Sequence, residues 1–550
     1  MSSRFHLKVL IALAAIVLTG CVAEPPATTP KSTSGITAEK LKGHIRFLSD
    51  DMLEGRGTGA HGGELAAKYI AAQLEASGVK GAGENGSFFQ PVSLVGVKAD
   101  PNTTLTITGG SGSETFKFAD DFVAFTGAQT ESVNVDTDLI FVGYGIDAPA
   151  QKWNDYKGDI DYKGKILVML VNDPPATSAE PNLFGGKALT YFGRWTYKFE
   201  EAARRGAAGA ILLHTDESAG YGWNVIRTSN GSWRFDIERK AGDTVPFLQF
   251  RSWMTDASAQ RLMKLAGQDL AALRAKAATR DFQPVNLGVK GKLDLKSEVK
   301  RVAAPNVVGV LEGTDPTLKN EYVVYSAHWD HLGIGAPNKD GDTIYNGALD
   351  NASGVACVLA IADVLAKERP KRSSLFLFPT AEEQGLLGAE WYSKHPVVPL
   401  DKTAANVNLD SMNVLGPTSD FIPLGAERST LKAVVDHVAK DMGLTVSPDA
   451  RPEQGSFFRS DHFPFAKVGV PSISLKEGNQ YVGHPKEWGE EQFKAYNTAH
   501  YHQPSDEMRD SWNFDGMIQS AEIALAIGRH ISDGPEKPQF NPGDEFAKTK

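Results

Sequence analysis

Apolar residues in the N-terminal part of the chain recur with the spacing of amphipathic helices. Residues 37–54 and 60–77 each place apolar side chains on one helical face, and Gly78 follows where a helix commonly ends. The glycine-rich run between them, residues 54–59, follows a predicted helix rather than a strand and lacks the spacing of a nucleotide-binding loop. The pattern therefore predicts two helices joined by a loop that does not bind nucleotides.

Beyond residue 300 the pattern alternates between short apolar runs and longer stretches with helical spacing. Strands are predicted at residues 322–327, 375–379, 407–409 and 472–475. Helices are predicted at residues 352–367, 385–394, 430–442 and 517–531. This alternation is typical of a mainly parallel sheet with helices on both faces, so we expect an α/β fold with three α/β/α layers.

Residues 131–295 have a different pattern, in which strand-like runs at 139–142 and 165–171 surround a helix-like run at 199–205. The small-residue segment 206–210, followed by an apolar strand, resembles the protease-associated (PA) domain, a small α/β module inserted in several peptidases. No group of ionisable residues in this segment has the pattern of a catalytic site. We therefore expect a small inserted α/β domain.

The first 21 residues have the pattern of a bacterial export signal. Arg4 and Lys8 precede an apolar run at residues 9–18 that is too short to span a bilayer. Residues 18–21, Leu-Thr-Gly-Cys, resemble the lipobox, which implies cleavage before the cysteine and acylation of its thiol. Residues 22–35 predict a flexible tether. We expect an exported protein of the bacterial cell envelope, anchored by this lipid to the outer membrane; a plain secretory signal is the alternative.

The composition limits the classes of protein to which the chain can belong. Its 550 residues are too many for one ordinary domain, and its 41% hydrophobic residues suffice for large cores. The net charge is −10 and no basic cluster occurs outside the extreme N-terminus, so nucleic acid is not an expected partner. Besides Cys21, the only cysteine is Cys357, which lies in an apolar stretch and is expected to be a buried packing residue.

Ionisable side chains follow the predicted strands of the C-terminal region. They are His328 and Asp330 after the first strand, Glu382 and Glu383 after the second, Asp410 after the third, Asp350 before the adjoining helix, and His502 in a polar loop near the C-terminus. In such sheets ligands bind beyond the carboxyl ends of the strands, so these side chains are expected to meet. So many carboxylates would repel one another unless cations neutralised them, and a set of histidines and carboxylates suits a pair of zinc ions.

At these residues the chain resembles the co-catalytic zinc aminopeptidases of peptidase clan MH, metallopeptidase family twenty-eight. The likeness covers residues 36–130 and 296–535, which we expect to form one discontinuous catalytic domain with a phosphorylase/hydrolase-like fold. The PA-type insert of residues 131–295 interrupts this domain, and residues 536–550 form a C-terminal tail. The resemblance implies an aminopeptidase, an exopeptidase that acts on peptides with a free N-terminus.

The resemblance also implies a ligand set for two zinc ions per chain. His328 and Asp410 would bind one ion, Glu383 and His502 the other, and Asp350 would bridge both. The peptide bond after the bridging aspartate is cis in this family, and we expect the same here.

The residues that act on the substrate follow from the same resemblance. Glu382 is implied as the general base that takes a proton from a water between the metals. Asp330 is implied as the carboxylate that orients His328. Tyr501 matches a tyrosine that in some members stabilises the developing oxyanion.

Three other functions stay open. Glutaminyl cyclases resemble the same family but work with one zinc ion. Glutamate carboxypeptidases need a basic pocket for the terminal carboxylate and usually a C-terminal dimerisation domain, for which the residues after His502 are too few. A non-catalytic binding protein would have a broken ligand set, whereas every expected ligand is present. The remaining histidines near these motifs are expected to be structural: His331, His462, His484 and His500.

Overall fold

The structure is a computed structural model that describes residues 34–230 and 233–547. The predicted export signal and most of the predicted tether lie outside the described residues. The helices are α1 (Ala38–Leu48), α2 (His61–Ala76), α3 (Trp195–Arg204), α4 (Asp216–Ala219), α5 (Trp223–Asn230), α6 (Asp256–Leu265), α7 (Leu270–Ala277), α8 (Ser353–Glu368), α9 (Leu387–Lys394), α10 (Leu431–Met442), α11 (His462–Lys467), α12 (Trp488–Ala499) and α13 (Phe514–Asp533).

The strands alternate with these helices along the chain. They are β1 (Lys80–Gly81), β2 (Phe89–Ala99), β3 (Thr104–Gly109), β4 (Gly112–Lys117), β5 (Phe122–Thr126), β6 (Ser132–Phe141), β7 (Asp147–Ala148), β8 (Trp153–Asn154), β9 (Ile166–Leu170), β10 (Gly209–His214), β11 (Arg234–Ile237), β12 (Phe250–Thr255), β13 (Val285–Leu311), β14 (Tyr322–Ser326), β15 (Gly333–Ile334), β16 (Ile344–Tyr345), β17 (Ser373–Phe378), β18 (Thr403–Leu409), β19 (Asp420–Leu424), β20 (Thr445–Val446) and β21 (Ser472–Glu477).

The main sheet has the strand order β11-β2-β13-β17-β14-β18-β21-β19-β20. Its central strands β17, β14, β18 and β21 are mutually parallel and coincide with the four strands predicted beyond residue 300. Helices α1, α2, α8, α10 and α13 pack on one face, and α9 and α11 on the other. The expected three-layer α/β fold is therefore confirmed.

A second sheet, the insert sheet, has the order β4-β3-β13-β6-β9-β10-β12-β5, with β6, β9, β10 and β12 parallel at its centre. The sequence prediction assigned residues up to 130 to the catalytic domain, but β3, β4 and β5 pair in this second sheet. These strands belong to the insert because their apolar side chains, such as Phe116 and Phe122, are buried in the core of the insert. The insert sheet therefore begins at Thr104 rather than near residue 131.

Strand β13, which the sequence analysis did not predict, is 27 residues long and belongs to both sheets. Its first half pairs with β3 and β6, and its second half pairs with β2 and β17. In the first half, Leu287, Val289, Leu293 and Leu295 are buried while the residues next to them are mostly exposed. Burial with a period of two is typical of a strand covered on one face.

Helix α8 is buried on all sides from Ser353 to Ala362 and lies in the core of the main domain. The stretch Ala348–Glu368, which includes it, is the one helical segment of the described residues that is long and apolar enough to cross a membrane, and 89% of its apolar window is buried within the protein. A helix that is hydrophobic all round and buried is ordinary in a large core. Cys357 lies on α8 and is fully buried, as expected for a packing residue.

Candidate metal centre

The main sheet brings the predicted site residues together at one edge. His328 and Asp330 follow β14, Glu382 and Glu383 follow β17, and Asp410 follows β18. These three strands are neighbours and parallel, so their carboxyl ends meet at the same edge. Asp350 enters from the turn before α8, and His502 enters from the loop after α12.

Asp350 lies between the two histidines. Its Oδ1 is 3.4 Å from Nε2 of His328, and its Oδ2 is 3.4 Å from Nε2 of His502. The peptide bond between Asp350 and Asn351 is cis, as expected. The side chain of Asp350 is buried, so its two oxygens face the imidazoles rather than solvent.

The His328 side of the cluster contains two further carboxylates. Nε2 of His328 lies 3.6 Å from Oδ1 of Asp410 and 4.0 Å from Oε2 of Glu382. The other oxygen of Asp410 accepts a hydrogen bond from the hydroxyl of Ser460 at 2.7 Å. Asp410 therefore keeps one oxygen directed at the imidazole while the second is held by the protein.

The predicted role of Asp330 needs a correction. Nδ1 of His328 contacts the backbone oxygen of Asp330, at 3.1 Å, rather than its carboxylate. The carboxylate Oδ2 instead accepts hydrogen bonds from the hydroxyl of Thr58, at 2.5 Å, and from the backbone N–H of Ala381. The backbone carbonyl of Asp330, two residues after His328, already reaches the imidazole of His328. The carboxylate of Asp330 is therefore free to hold the turn that carries Glu382.

The His502 side contains a histidine that the sequence analysis had treated as structural. Nε2 of His502 lies 2.9 Å from Oε2 of Glu383, and Nδ1 of His331 lies 2.6 Å from the other oxygen of Glu383. The ring of Tyr501 stacks on that of His502, with centroids 4.0 Å apart. His331 is therefore a partner of Glu383, three residues beyond His328 in the chain.

Two buried acids beside the cluster were also not predicted. Asp506 accepts hydrogen bonds from the backbone N–H groups of Leu349, at 3.2 Å, and Asp350, at 3.0 Å, and so holds the turn before α8. Asp461 is fully buried, and neither of its oxygens has a hydrogen-bond partner among the described residues. Burial raises the pKa of Asp506 to about 6 and that of Asp461 to about 8. No strand pattern precedes either residue.

The glycine-rich loop of residues 54–59 holds two segments of the centre through hydrogen bonds. The buried guanidinium of Arg56 donates hydrogen bonds to the backbone oxygens of Trp329, at 2.8 Å, Asn346, at 2.6 Å, and Gly347, at 2.9 Å. These carbonyls flank His328 in one segment and precede Asp350 in the other. The loop therefore fixes two segments of the site.

The electrostatics of the cluster favour bound positive charge. Burial would lower the pKa of both His328 and His502, but the surrounding carboxylates outweigh burial and raise each well above its ordinary value. Burial likewise opposes ionisation of Glu383, yet the contacts with His502 and His331 lower its pKa to about 2. Burial raises the pKa of Glu382, with further contributions from Glu383 and Asp461 against the opposing charge of His328.

The donor set fits zinc. Histidine nitrogens and carboxylate oxygens are the ligands that zinc takes in catalytic sites. Neither ring nitrogen of His502 makes a hydrogen bond within the described part of the chain, although Glu383 is close. Three groups of ionisable residues have ligand atoms near enough to share an ion: His328, Asp350 and Asp410; His331, Asp350 and Glu383; and His328, Glu382 and Glu383.

Two cavities open beside the cluster. The larger, about 420 Å³, is lined by Asp350, Asp410, Glu382 and Glu383 among other residues. The smaller, about 310 Å³, also reaches the two glutamates and is lined on its far side by residues of the insert. Tyr501 lines both cavities. The cluster is therefore buried in the protein yet accessible to a ligand.

The part of the chain that contains the cluster is similar to known peptidases. Residues 306–527 match the profile of peptidase family M28, and this range contains every predicted site residue. A "probable leucine aminopeptidase 2" of Aspergillus oryzae is 29% identical over 248 residues, which are 43% of this chain and 46% of that protein. A "probable zinc metalloprotease" of Pyrenophora teres f. teres is 35% identical over 104 residues, 19% of this chain and 22% of that protein. The chain thus spans less than half the length of these curated relatives.

Among solved structures, an aminopeptidase from Aneurinibacillus sp. strain AM-1 superposes with a TM-score of 0.52 at 18% identity, covering 94% of this chain and 98% of that chain. The likeness extends over the insert as well as the main domain. At this level of identity it shows that the two chains share the fold.

Proposed function

We propose that this chain is a zinc-dependent aminopeptidase that hydrolyses the N-terminal peptide bond of peptides. The observation that carries the proposal is the position of Asp350 between His328 and His502, with Asp410 3.6 Å from His328 and Glu383 2.9 Å from His502. A carboxylate shared between two buried sets of ligands is the arrangement that a pair of hydrolytic metal ions needs. The match to peptidase family M28 over residues 306–527 supports it.

The ligand atoms divide into two sets around the shared aspartate. His328 and Asp410 would hold one zinc ion, His502 and Glu383 would hold the other, and Asp350 would contact both. When bound, such a pair lowers the pKa of a coordinated water and polarises the scissile carbonyl. His331 and the backbone oxygen of Asp330 orient Glu383 and the imidazole of His328 respectively.

Glu382 is the general base in this proposal. It lines both cavities, and at 4.0 Å from Nε2 of His328 it lies farther from a histidine nitrogen than Asp350, Asp410 or Glu383 does, so it is free to face a substrate. At this position it can take a proton from the attacking water and return it to the leaving amine. Tyr501 also lines both cavities, and its hydroxyl would donate a hydrogen bond to the developing oxyanion.

The protein would act outside the cytoplasm, on peptides with a free N-terminus. The export signal and the lipobox that ends at Cys21 carry this part of the proposal, with the lipid as the only membrane contact. The PA-type insert would border the substrate cavity. Labelling cells with a radioactive fatty acid, with Cys21→Ser as the control, tests the anchor.

The activity is tested with aminoacyl-p-nitroanilides, before and after removal of metal with a chelator and after return of zinc, with metal content measured in each state. We expect two zinc ions per chain and activity that is lost and regained with zinc. One zinc ion at full activity toward N-terminal glutamine would support the cyclase alternative. A chain that holds both ions and cleaves no peptide would contradict the proposal.

A further inference from the structure

The smaller cavity beside Glu382 and Glu383 is lined by three arginines from two parts of the chain. Arg194 and Arg234 belong to the segment between the two halves of the main domain, and Arg459 belongs to the main domain itself. We call this cavity, of about 310 Å³, the arginine cavity. Its size is within the range of small-molecule sites.

Arg194 has no partner for its charge. The residue is 9% exposed, and its side chain makes no hydrogen bond and no ion pair with any residue in the ranges 34–230 and 233–547. A buried guanidinium without an acceptor is costly, because burial removes water without supplying a replacement. Burial, and to a smaller extent the guanidinium of Arg459, lower the pKa of Arg194 to about 9.

The other two arginines are only partly satisfied. Arg234 is 8% exposed and donates one long hydrogen bond, 3.4 Å, to the backbone oxygen of Gln384. Arg459 donates to the backbone oxygen of Ala219 at 2.9 Å. Nε has no partner within the described residues in either side chain, and neither forms an ion pair there with a carboxylate. All three arginines therefore keep donors available at the same cavity.

The acids that line the cavity are already in use. Glu200 accepts a hydrogen bond from the hydroxyl of Tyr191 at 2.7 Å and lies 3.8 Å from Arg204. Glu390 pairs with Lys394 at 2.5 Å. Glu382 and Glu383 are part of the candidate metal centre. Within the described residues, none of these four carboxylates forms an ion pair with any of the three arginines.

The start of helix α3 adds to the positive character of the cavity. Arg194 directly precedes α3, and the first helical residues, Trp195 and Thr196, also line the cavity. No side chain caps this end of the helix. The N-terminus of a helix carries a partial positive charge and free N–H groups, which favour an anion.

We propose that the arginine cavity binds a carboxylate of the peptide substrate, with Arg194 as the central contact. The proposal rests on the proposed peptidase function. A basic pocket for the terminal carboxylate is also what the glutamate carboxypeptidase alternative requires, and cleavage of leucyl-p-nitroanilide, which has no carboxylate, distinguishes an aminopeptidase from it. The carboxylate is either the C-terminal group of a short peptide or an acidic side chain near the cleaved bond. Arginine suits either group, because its planar guanidinium can donate two parallel hydrogen bonds to a carboxylate. The insert would thereby select substrates.

The first test compares kcat/KM for leucyl-alanine and its C-terminal amide, using the purified full-length chain. Loss of charge-assisted hydrogen bonds should lower kcat/KM about 10- to 100-fold in the amide. A second pair, leucyl-aspartate amide and leucyl-asparagine amide, places the carboxylate on a side chain. The pair with the larger difference identifies the source of the carboxylate, and equal values within both pairs overturn the proposal.

Variants then test the residue. Arg194→Gln should bring the ratio of kcat/KM for the acid to kcat/KM for the amide toward one. Arg194→Lys, which keeps the charge, should retain part of the preference for the acid. Arg205→Gln is the matched control, because Arg205 follows the same helix but pairs with Glu201 and Asp147, at 2.8 and 2.6 Å. Removing an unpaired buried charge breaks no hydrogen bond or ion pair within the described part of the chain, so the Tm of Arg194→Gln should not fall. An unchanged ratio in Arg194→Gln overturns the assignment.

Leucyl-p-nitroanilide, which has no carboxylate, separates this proposal from the peptidase proposal. A chain that cleaves the nitroanilide and both amides without preferring the acids contradicts only the carboxylate site. If zinc-loaded protein cleaves none of them, the peptidase proposal fails and calorimetry with the uncleaved leucyl-alanine decides the remaining question. Tighter binding of the acid than of its amide then supports the arginine cavity, and equal binding overturns it.

Discussion

The main sheet and the insert sheet each have four parallel strands at the centre. They differ in whether the polar side chains at the carboxyl ends of those strands have partners within the protein. In the main sheet, His328 and Asp410 follow neighbouring strands and face each other at 3.6 Å. Asp461 beside them has no hydrogen-bond partner in the described part of the chain. These groups are gathered without satisfying one another.

In the insert sheet the corresponding groups are paired. Asp173 follows β9 and accepts hydrogen bonds from the backbone N–H of Thr190 at 2.6 Å and from its hydroxyl at 3.0 Å. Lys198 is buried and donates to the backbone oxygen of Asn172 at 3.0 Å. His214 ends β10, where its Nε2 lies 3.2 Å from the backbone oxygen of Tyr221.

The comparison separates fold from function. A parallel sheet of this kind creates a place where side chains from several strands meet, and both sheets have such a place. What differs is whether the polar groups there find partners within the protein. Satisfied groups stabilise the fold, whereas converging groups that lack partners are available to a metal ion or a substrate.

The largest effect is expected when the proposed base, Glu382, is removed while the proposed zinc ligands are kept. Glu382→Gln keeps the shape of the side chain but cannot take a proton, so kcat should fall about 10²–10⁴-fold. Zinc content should be unchanged, because Glu382 is outside the two ligand sets. Peptidase assays and metal analysis of the purified variant measure both quantities. Loss of zinc in this variant would instead make Glu382 a ligand.

The neighbouring glutamate should respond in the opposite sense. Glu383→Gln removes a charged ligand that contacts both His331 and His502, so one zinc site should weaken by more than the roughly 10–100-fold typical of losing an outer partner. Activity should recover partly as zinc is added. A zinc titration of Glu382→Gln beside it is the control. If Glu383→Gln keeps both ions at full affinity, the two roles are reversed.

Two buried histidines sharpen the contrast between the sheets. His331→Ala removes the partner of Glu383 and should weaken zinc binding about 10–100-fold, because partners of ligands orient them. His214→Ala removes an equally buried ring from the insert and should lower the Tm without changing zinc affinity. Competition with a chromophoric chelator measures the affinities. Equal zinc affinities in the two variants would show that His331 is merely structural.

Much of the site could be predicted from the sequence, because several of its residues follow the carboxyl ends of parallel strands, where ligands bind. His328, Glu383 and Asp410 come after short apolar runs, so the runs located them before any tertiary contact was known. His331, by contrast, reaches Glu383 only through the path of the loop after β14. The contact between His328 and the backbone of Asp330 depends on atomic geometry that residue types do not encode.

The insert was harder to predict for two physical reasons. Strand β13 has the alternation of a strand from Leu287 to Leu295, a signal that was present in the sequence, but its membership in two sheets depends on partners far away along the chain. Arg194 lies beside a helix with ordinary amphipathic spacing, and only the three-dimensional structure shows that it lacks an acidic neighbour.

The smallest effect expected is on stability, and it tests the insert side of the comparison. Thr190→Val removes the hydroxyl that donates to Asp173 and keeps the shape of the side chain. A hydrogen bond to a charged group contributes about 1.5–3 kcal/mol, and the backbone N–H of Thr190 still holds the carboxylate, so the free energy of unfolding should fall by about 1–2 kcal/mol.

Thr279→Val is the matched control for this variant, because its hydroxyl is exposed and donates to the backbone oxygen of Lys276. Its stability should change by no more than about 0.5 kcal/mol. Urea denaturation measures both variants, and metal analysis with a peptidase assay accompanies it. Because Asp173 is satisfied within the insert, Thr190→Val should keep full zinc content and unchanged kcat. A loss of zinc in Thr190→Val at unchanged stability would mean that the paired groups of the insert also serve the metal centre, and the distinction between the two sheets would not hold.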